Sequence, residues 1–197
     1  MTVPWTRAWP SVAAGSPSLI FSGRTVICTV SPSRANGHVV ADPSRDLAKI
    51  AVIERHHATG RVGRGLVTGF GLTRGAFAST VAHDAHNVVA VGTDDASILA
   101  CAARLQELGG GCVVAVDGSV TGELPLPVAG LLSDQPVEDV VAALDSLHAQ
   151  LRELGVSIEA PFMTLSFLAL SVIPALKITD RGLVDVERFE IVPLSAG

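Results

Sequence analysis

Read as a pattern of apolar and polar positions, the chain changes character near residue 38. After it, Asp46–Arg55 is a β-branched run with no Gly or Pro inside, which reads as a buried strand. Arg64–Phe70, Gly75–Ala82 and Asn87–Val91 follow as further strands, set off by glycines and by one polar turn. Strands so close together, joined by short loops, favour antiparallel pairing over helical crossovers. Ala96–Leu108 carries Ile98, Leu99, Ala102 and Leu105 on one stripe, behind Asp94 or Asp95 as cap and ahead of three glycines, and reads as a helix. Cys112–Val116 and Ser119–Leu124 flank Asp117-Gly118, the pattern of a hairpin with a two-residue type I′ turn.

A second helix has Pro136 near its first turn behind Ser133/Asp134, Glu138 and Asp139 at its positive end, and a stripe of Val137, Val140, Val141, Leu144, Leu147, Leu151 and Leu154 up to Gly155. Pro161–Leu170 is apolar on every side and its type stays open. Leu183–Val192 reads as a returning edge strand. The sum is an α+β fold: a largely antiparallel or mixed sheet with helices packed on one face. Residues 1–37 are Ser-, Pro- and Gly-rich, lack acidic residues and hold both tryptophans. They read as a poorly structured leader or the remnant of a lost domain, with Leu19–Phe21 and Thr25–Val30 as short strands, and 38–197 as the folded domain.

Composition narrows the function. Of 197 residues, 48% are apolar and 17% charged, a globular balance long enough for one good core. No apolar run reaches the ~18–20 residues that span a bilayer. A net charge of -5, with no basic patch and no tyrosine, argues against nucleic acid as the main partner. Three cysteines without C-x-x-C spacing, and no signal-peptide pattern, point to a reducing cytoplasm without disulfides.

The chemistry concentrates in Thr80–Asp95, where His83, Asp84, His86 and Asn87 fall within five positions between apolar runs. Glu54 and His56 share one face of the strand before them. Imidazole and carboxylate together suit a Zn, Mn or Fe site or a general acid–base pair. They suit still better a polar cluster that holds loops at a sheet rim through side-chain to backbone bonds. His57 is left out, as is His148, which the pattern puts on the exposed side of its helix. Gly109-Gly110-Gly111 follows a helix rather than opening one, so it is a cap and not a phosphate loop. Ser79, Ser166 and Cys101 lack a nucleophile motif.

Seven stretches occur in the order found in bacterial adenine deaminase. They are Ile50-Ala-Val-Ile-Glu-Arg-His56, Gly65–Leu72, Ser79–Asn87, Val91-Gly-Thr-Asp94, Glu123–Leu131, Pro161–Leu170 and Lys177–Val186, the last leading to Phe189–Pro193. From about His38 to Leu194 the chain resembles the C-terminal domain of that family, which belongs to the amidohydrolases.

The resemblance implies hydrolytic deamination of adenine to hypoxanthine and ammonia, with a divalent metal (Mn or Fe) in a (β/α)8 barrel. Such a barrel takes ~200–250 residues and its ligands begin with an H-x-H pair, which this chain lacks, so the catalytic residues have no counterpart here. The implied substrate-pocket candidates are Glu54, His56, His83, Asp84, His86 and Asn87, with His83, Asp84 and His86 as candidates for an accessory metal. The implied partners are adenine or a related purine, and a barrel-bearing body or a second copy. The alternative is a non-catalytic purine-binding or assembly domain.

Overall fold

The β-branched runs do become strands. A computed structural model describes Val26–Cys28, Ser33–Ala35 and residues 38–194. Within them lie β1 (Val26–Cys28), β2 (Ser33–Ala35), β3 (His38–Val40), β4 (Ala48–Ile53), β5 (Val62–Thr68), β6 (Ala76–Ser79) and β7 (Val88–Gly92). After these come α1 (Asp95–Leu108), β8 (Gly111–Val116), β9 (Ser119–Pro125), α2 (Val137–Glu153) and α3 (Pro161–Leu168). β10 (Leu176–Thr179), β11 (Gly182–Asp185) and β12 (Glu190–Val192) complete the described chain. The short strand expected over Leu19–Phe21 lies outside the described residues, as does most of the 1–37 segment.

Seven strands form one sheet in the order β1-β5-β4-β7-β6-β8-β9, and every neighbouring pair is antiparallel. β7 and β8 both pair with β6, so the β7–α1–β8 unit straddles that strand. The hairpin turn forms as its sequence demands: Asp117 (φ 51°) and Gly118 (φ 74°) both take positive φ. Asp94 caps α1 by accepting from Ser97 N–H at 2.7 Å, and Gly109 (φ 76°) ends it.

The α+β class and the antiparallel sheet match the sequence reading, whereas the helices, expected on one face, divide between the two. β4 and β7 are buried at every position, which requires cover on both sides. On one face Ala51, Ala76, Ala78, Ala90 and Ala115 receive Ile98, Cys101, Ala102 and Leu105 of α1. On the other, Ile50, Val52, Phe77, Val89, Val91 and Val114 lie beneath Leu147 and Leu151 of α2 and Phe162 and Leu165 of α3. Phe77 is the hub there, edge-on to Phe70 at 5.3 Å and to Phe162 at 5.6 Å.

One open reading closes and two further expectations change. The apolar stretch 161–170 is an eight-residue helix with Pro161 in its first turn. Leu183–Val192 is not one edge strand of the main sheet: it breaks at Phe189 (φ 54°) into β11 and β12, which pair with β10 in a separate small sheet. That sheet lies close over β5, where a Cβ on Gly63 would run into the Thr179 carbonyl. His148 is half-buried rather than exposed, its ring stacked on Phe162 at 6.0 Å.

Candidate functional site: an imidazole-bearing rim

Strand register brings the chemistry to one edge of the main sheet. Ile53 pairs with Val62 and Val88, Ser79 with Val89 and Cys112, and Gly111 with Pro125. Loops 54–61, 80–87 and 126–132 therefore leave the sheet side by side. Thr80 links two of them, since its hydroxyl donates to Gly130 O at 2.6 Å and accepts from Gly111 N–H at 2.8 Å.

Glu54 is buried, and both of its carboxylate oxygens are taken by its own loop. Oε1 accepts from the N–H groups of His56 (2.5 Å) and His57 (2.7 Å), and Oε2 from Thr59 N–H (3.0 Å) and Oγ1 (2.9 Å). The Thr59 N–H leads in holding its pKa down to about 2, against the desolvation that raises it. An ionised carboxylate wrapped in four donors is a loop clamp, not a general base at neutral pH.

His56, though exposed, reaches across to the next loop, its Nε2 lying 2.7 Å from Ala85 O. Arg55 makes the stronger bridge. Its Nε donates to His86 O at 2.6 Å, and an Nη donates to Ala129 O at 2.6 Å, with the guanidinium flat against Gly130. A Cβ at Gly130 would sit 2.6–2.9 Å from that group.

The 80–87 turn holds two imidazoles. His83 and His86 meet nearly perpendicular at 5.6 Å, and His83 lies 5.8 Å from the ring of Phe167 on α3. His86 is pinned: its N–H donates to Ala82 O at 2.7 Å, and its Nδ1 accepts from Ala82 N–H at 3.2 Å. Desolvation, then the neighbouring His83, Arg55 and His56, lower its pKa below the ordinary histidine value. Asp84 is exposed, and its charge works against that shift. Asn87 is buried and turns the other way, donating to Asp180 Oδ1 at 3.4 Å, while Arg61 donates to Asp180 Oδ2 at 2.7 Å.

The six residues singled out from sequence thus share one edge without forming one cluster. His56, His83 and His86 converge; Glu54 serves its loop, Asp84 stays exposed beside them, and Asn87 ties the main sheet to the β10–β11 turn. His83, Asp84 and His86 were the residues expected to hold an accessory metal. Among the described residues no three His, Cys, Asp or Glu side chains are grouped to hold an ion. His86 shows why: its Nδ1 lone pair is engaged, so in the neutral ring Nε2 carries the proton and neither nitrogen is free to ligate.

Sequence reasoning missed Arg55, Thr80 and Asp180. Arg55 follows the buried Ile50–Glu54 run directly, a place from which a long cation can reach the neighbouring loops. Asp180 offered no signal, since its partners lie 93 and 119 residues away. Cys101 and Cys112 are free and buried, their thiols pushed up to about 12 and about 11 by burial, so neither is a nucleophile. Among the described residues no helix is long and apolar enough to cross a membrane.

Fold and rim together define an antiparallel α+β domain that displays imidazoles on one loop edge. Residues 24–190 match the family described as the adenine deaminase C-terminal domain, and the chain belongs to it. Among its relatives, a protein named adenine deaminase from Oleidesulfovibrio alaskensis is 52% identical over 189 residues, covering 93% of this chain and 33% of the relative. Another so named, from Methanothrix thermoacetophila, is 55% identical over 83% of this chain and 29% of its own length. A third, from Cereibacter sphaeroides, is 58% identical over 77% of this chain and 27% of its own. The chain spans about a third of the length of the curated relatives it matches.

Proposed function

We propose that this chain acts as the C-terminal domain of an adenine deaminase, the enzyme that replaces the 6-amino group of adenine by oxygen to give hypoxanthine and ammonia. The observation that carries the reading is the identity, 52% over 93% of this chain, with a protein of that name three times as long as the matched segment. In the overall reaction water adds at C6 and ammonia leaves. The reading assigns the ligands of the divalent metal, Mn or Fe, that this chemistry implies to a separate metal-bearing body; among the described residues no three His, Cys, Asp or Glu side chains are grouped to hold an ion. This domain supplies the rim of Arg55, His56, His83 and His86 as one wall beside the purine. Two buried, reduced thiols suit a cytoplasmic setting.

The test is ammonia release from adenine with Mn present. The chain alone is expected to release none. Mixed with the remaining two-thirds of the Oleidesulfovibrio alaskensis relative, produced separately, it should restore release to the level given by that relative's own C-terminal third. Release by the chain alone would overturn the division of labour. So would failure in the mixture where the relative's own third succeeds.

A further inference from the structure

His86 has most of its polar groups engaged and one left over. Its N–H and Nδ1 are both bound to Ala82, and its carbonyl accepts from Arg55. With Nδ1 an acceptor, the single proton of the neutral ring sits on Nε2. Among the described residues that Nε2–H has no partner. Desolvation by burial, then the neighbouring His83 and Arg55, favour the neutral form, in which Nδ1 keeps its lone pair for Ala82 N–H. Beside it stand the edge-on ring of His83 and then Phe167, a large aromatic left 41% exposed.

Such an edge has a definite complement. A flat heteroaromatic ring lies well against aromatic side chains, and its unprotonated ring nitrogens are acceptors. Resting on the reading that this domain serves an enzyme acting on adenine, we propose that His86 is a specificity-determining residue. Its Nε2–H donates to a ring nitrogen of the purine, whose plane lies against His83 and Phe167. Arg55 is the positioning residue that fixes the His86 backbone. A donor held this firmly rejects a ring carbon at the same place, because it is then left without its hydrogen bond.

The test uses the folded chain with 15N-labelled histidine rings, titrated with adenine and with its 1-deaza, 3-deaza and 7-deaza analogues. Before ligand, His86 should show a pyridine-type Nδ1 and a pyrrole-type Nε2. Adenine should bind saturably and shift the His86 and Phe167 resonances. One analogue should bind about tenfold more weakly, the worth of one hydrogen bond. His86→Ala should erase the gap between adenine and that analogue, and His86→Gln, which keeps an amide donor and the fold, should restore part of it. A proton on Nδ1, equal affinity for all four ligands, or no saturable binding of adenine to the chain would each overturn the proposal. Ammonia release in the mixture with the metal-bearing body judges the deaminase reading separately, and it can succeed where this one fails.

Discussion

Two loops leave the same edge of the sheet and treat their polar residues in opposite ways. In the 54–59 loop the Glu54 carboxylate meets four donors from its own loop and keeps nothing for a ligand. In the 80–87 turn His86 is held just as firmly, yet only through its backbone and one ring nitrogen. The difference is capacity: a carboxylate's lone pairs can all be satisfied by local N–H groups, whereas a neutral imidazole that accepts at one nitrogen must still donate at the other. A satisfied side chain organises a loop; a half-satisfied one at an accessible rim is left to read a partner.

The contrast makes predictions of graded size. Glu54→Gln should have the largest effect on the fold, because an amide cannot accept at both ends and turns a donor toward Thr59. The thermal midpoint should fall by several degrees at pH 7 by calorimetry. Glu54's pKa is depressed in the folded state, so its contribution is complete above the ordinary carboxylate value of 4.5. It is lost as pH falls from there through about 2. Acid titration of stability should therefore be steeper in the wild type than in the variant; parallel curves would show that the clamp does not hold.

Arg55→Ala should cost less, about 1–2 kcal/mol in urea unfolding, since it removes two charge-assisted bonds in a partly exposed site. Its second signature is local: faster amide exchange in residues 82–87 and 128–131, with exchange in β4 unchanged. A smaller effect comes from His86 itself. Its folded pKa lies below the ordinary value, so the unfolded chain takes up the proton first. Its contribution to stability is complete above about pH 6.5 and declines as pH falls below that. His86→Gln should flatten the stability curve in that window. His57→Ala is the smallest, within about 0.5 kcal/mol, because its side chain is exposed and only its backbone N–H serves Glu54.

The elements were legible where short-range chemistry decides them. Asp117-Gly118 dictates its turn, Asp94 and Gly109 bound their helix, and β-branched runs mark β4 and β7. The two-faced cover of the sheet is also written in the sequence, since Ile50-Ala-Val-Ile53 is apolar at four consecutive positions, where a half-exposed strand would alternate. Residues 183–192 looked like one strand because nothing local marks the break at Phe189, whose positive φ is imposed by β11 and β12 folding back on each other. At the site, the crowding of His83, Asp84, His86 and Asn87 marked the turn in the sequence, while the partners that each side chain takes there were not written in the spacing. Whether a histidine is a ligand or a donor depends on which nitrogen the backbone occupies, and the Ala82 N–H that decides it is invisible to spacing alone.

The central claim is that this rim acts on the purine and not through a metal of its own. The most direct measurement is kcat/KM for adenine, with metal content determined in parallel, in the assembled enzyme carrying His83→Ala or His86→Ala in this domain and His57→Ala as control. The account predicts a fall of about tenfold for His86→Ala, with metal per active site unchanged and the control at wild-type level. Unchanged kcat/KM in both rim variants, or loss of metal along with activity, would contradict it.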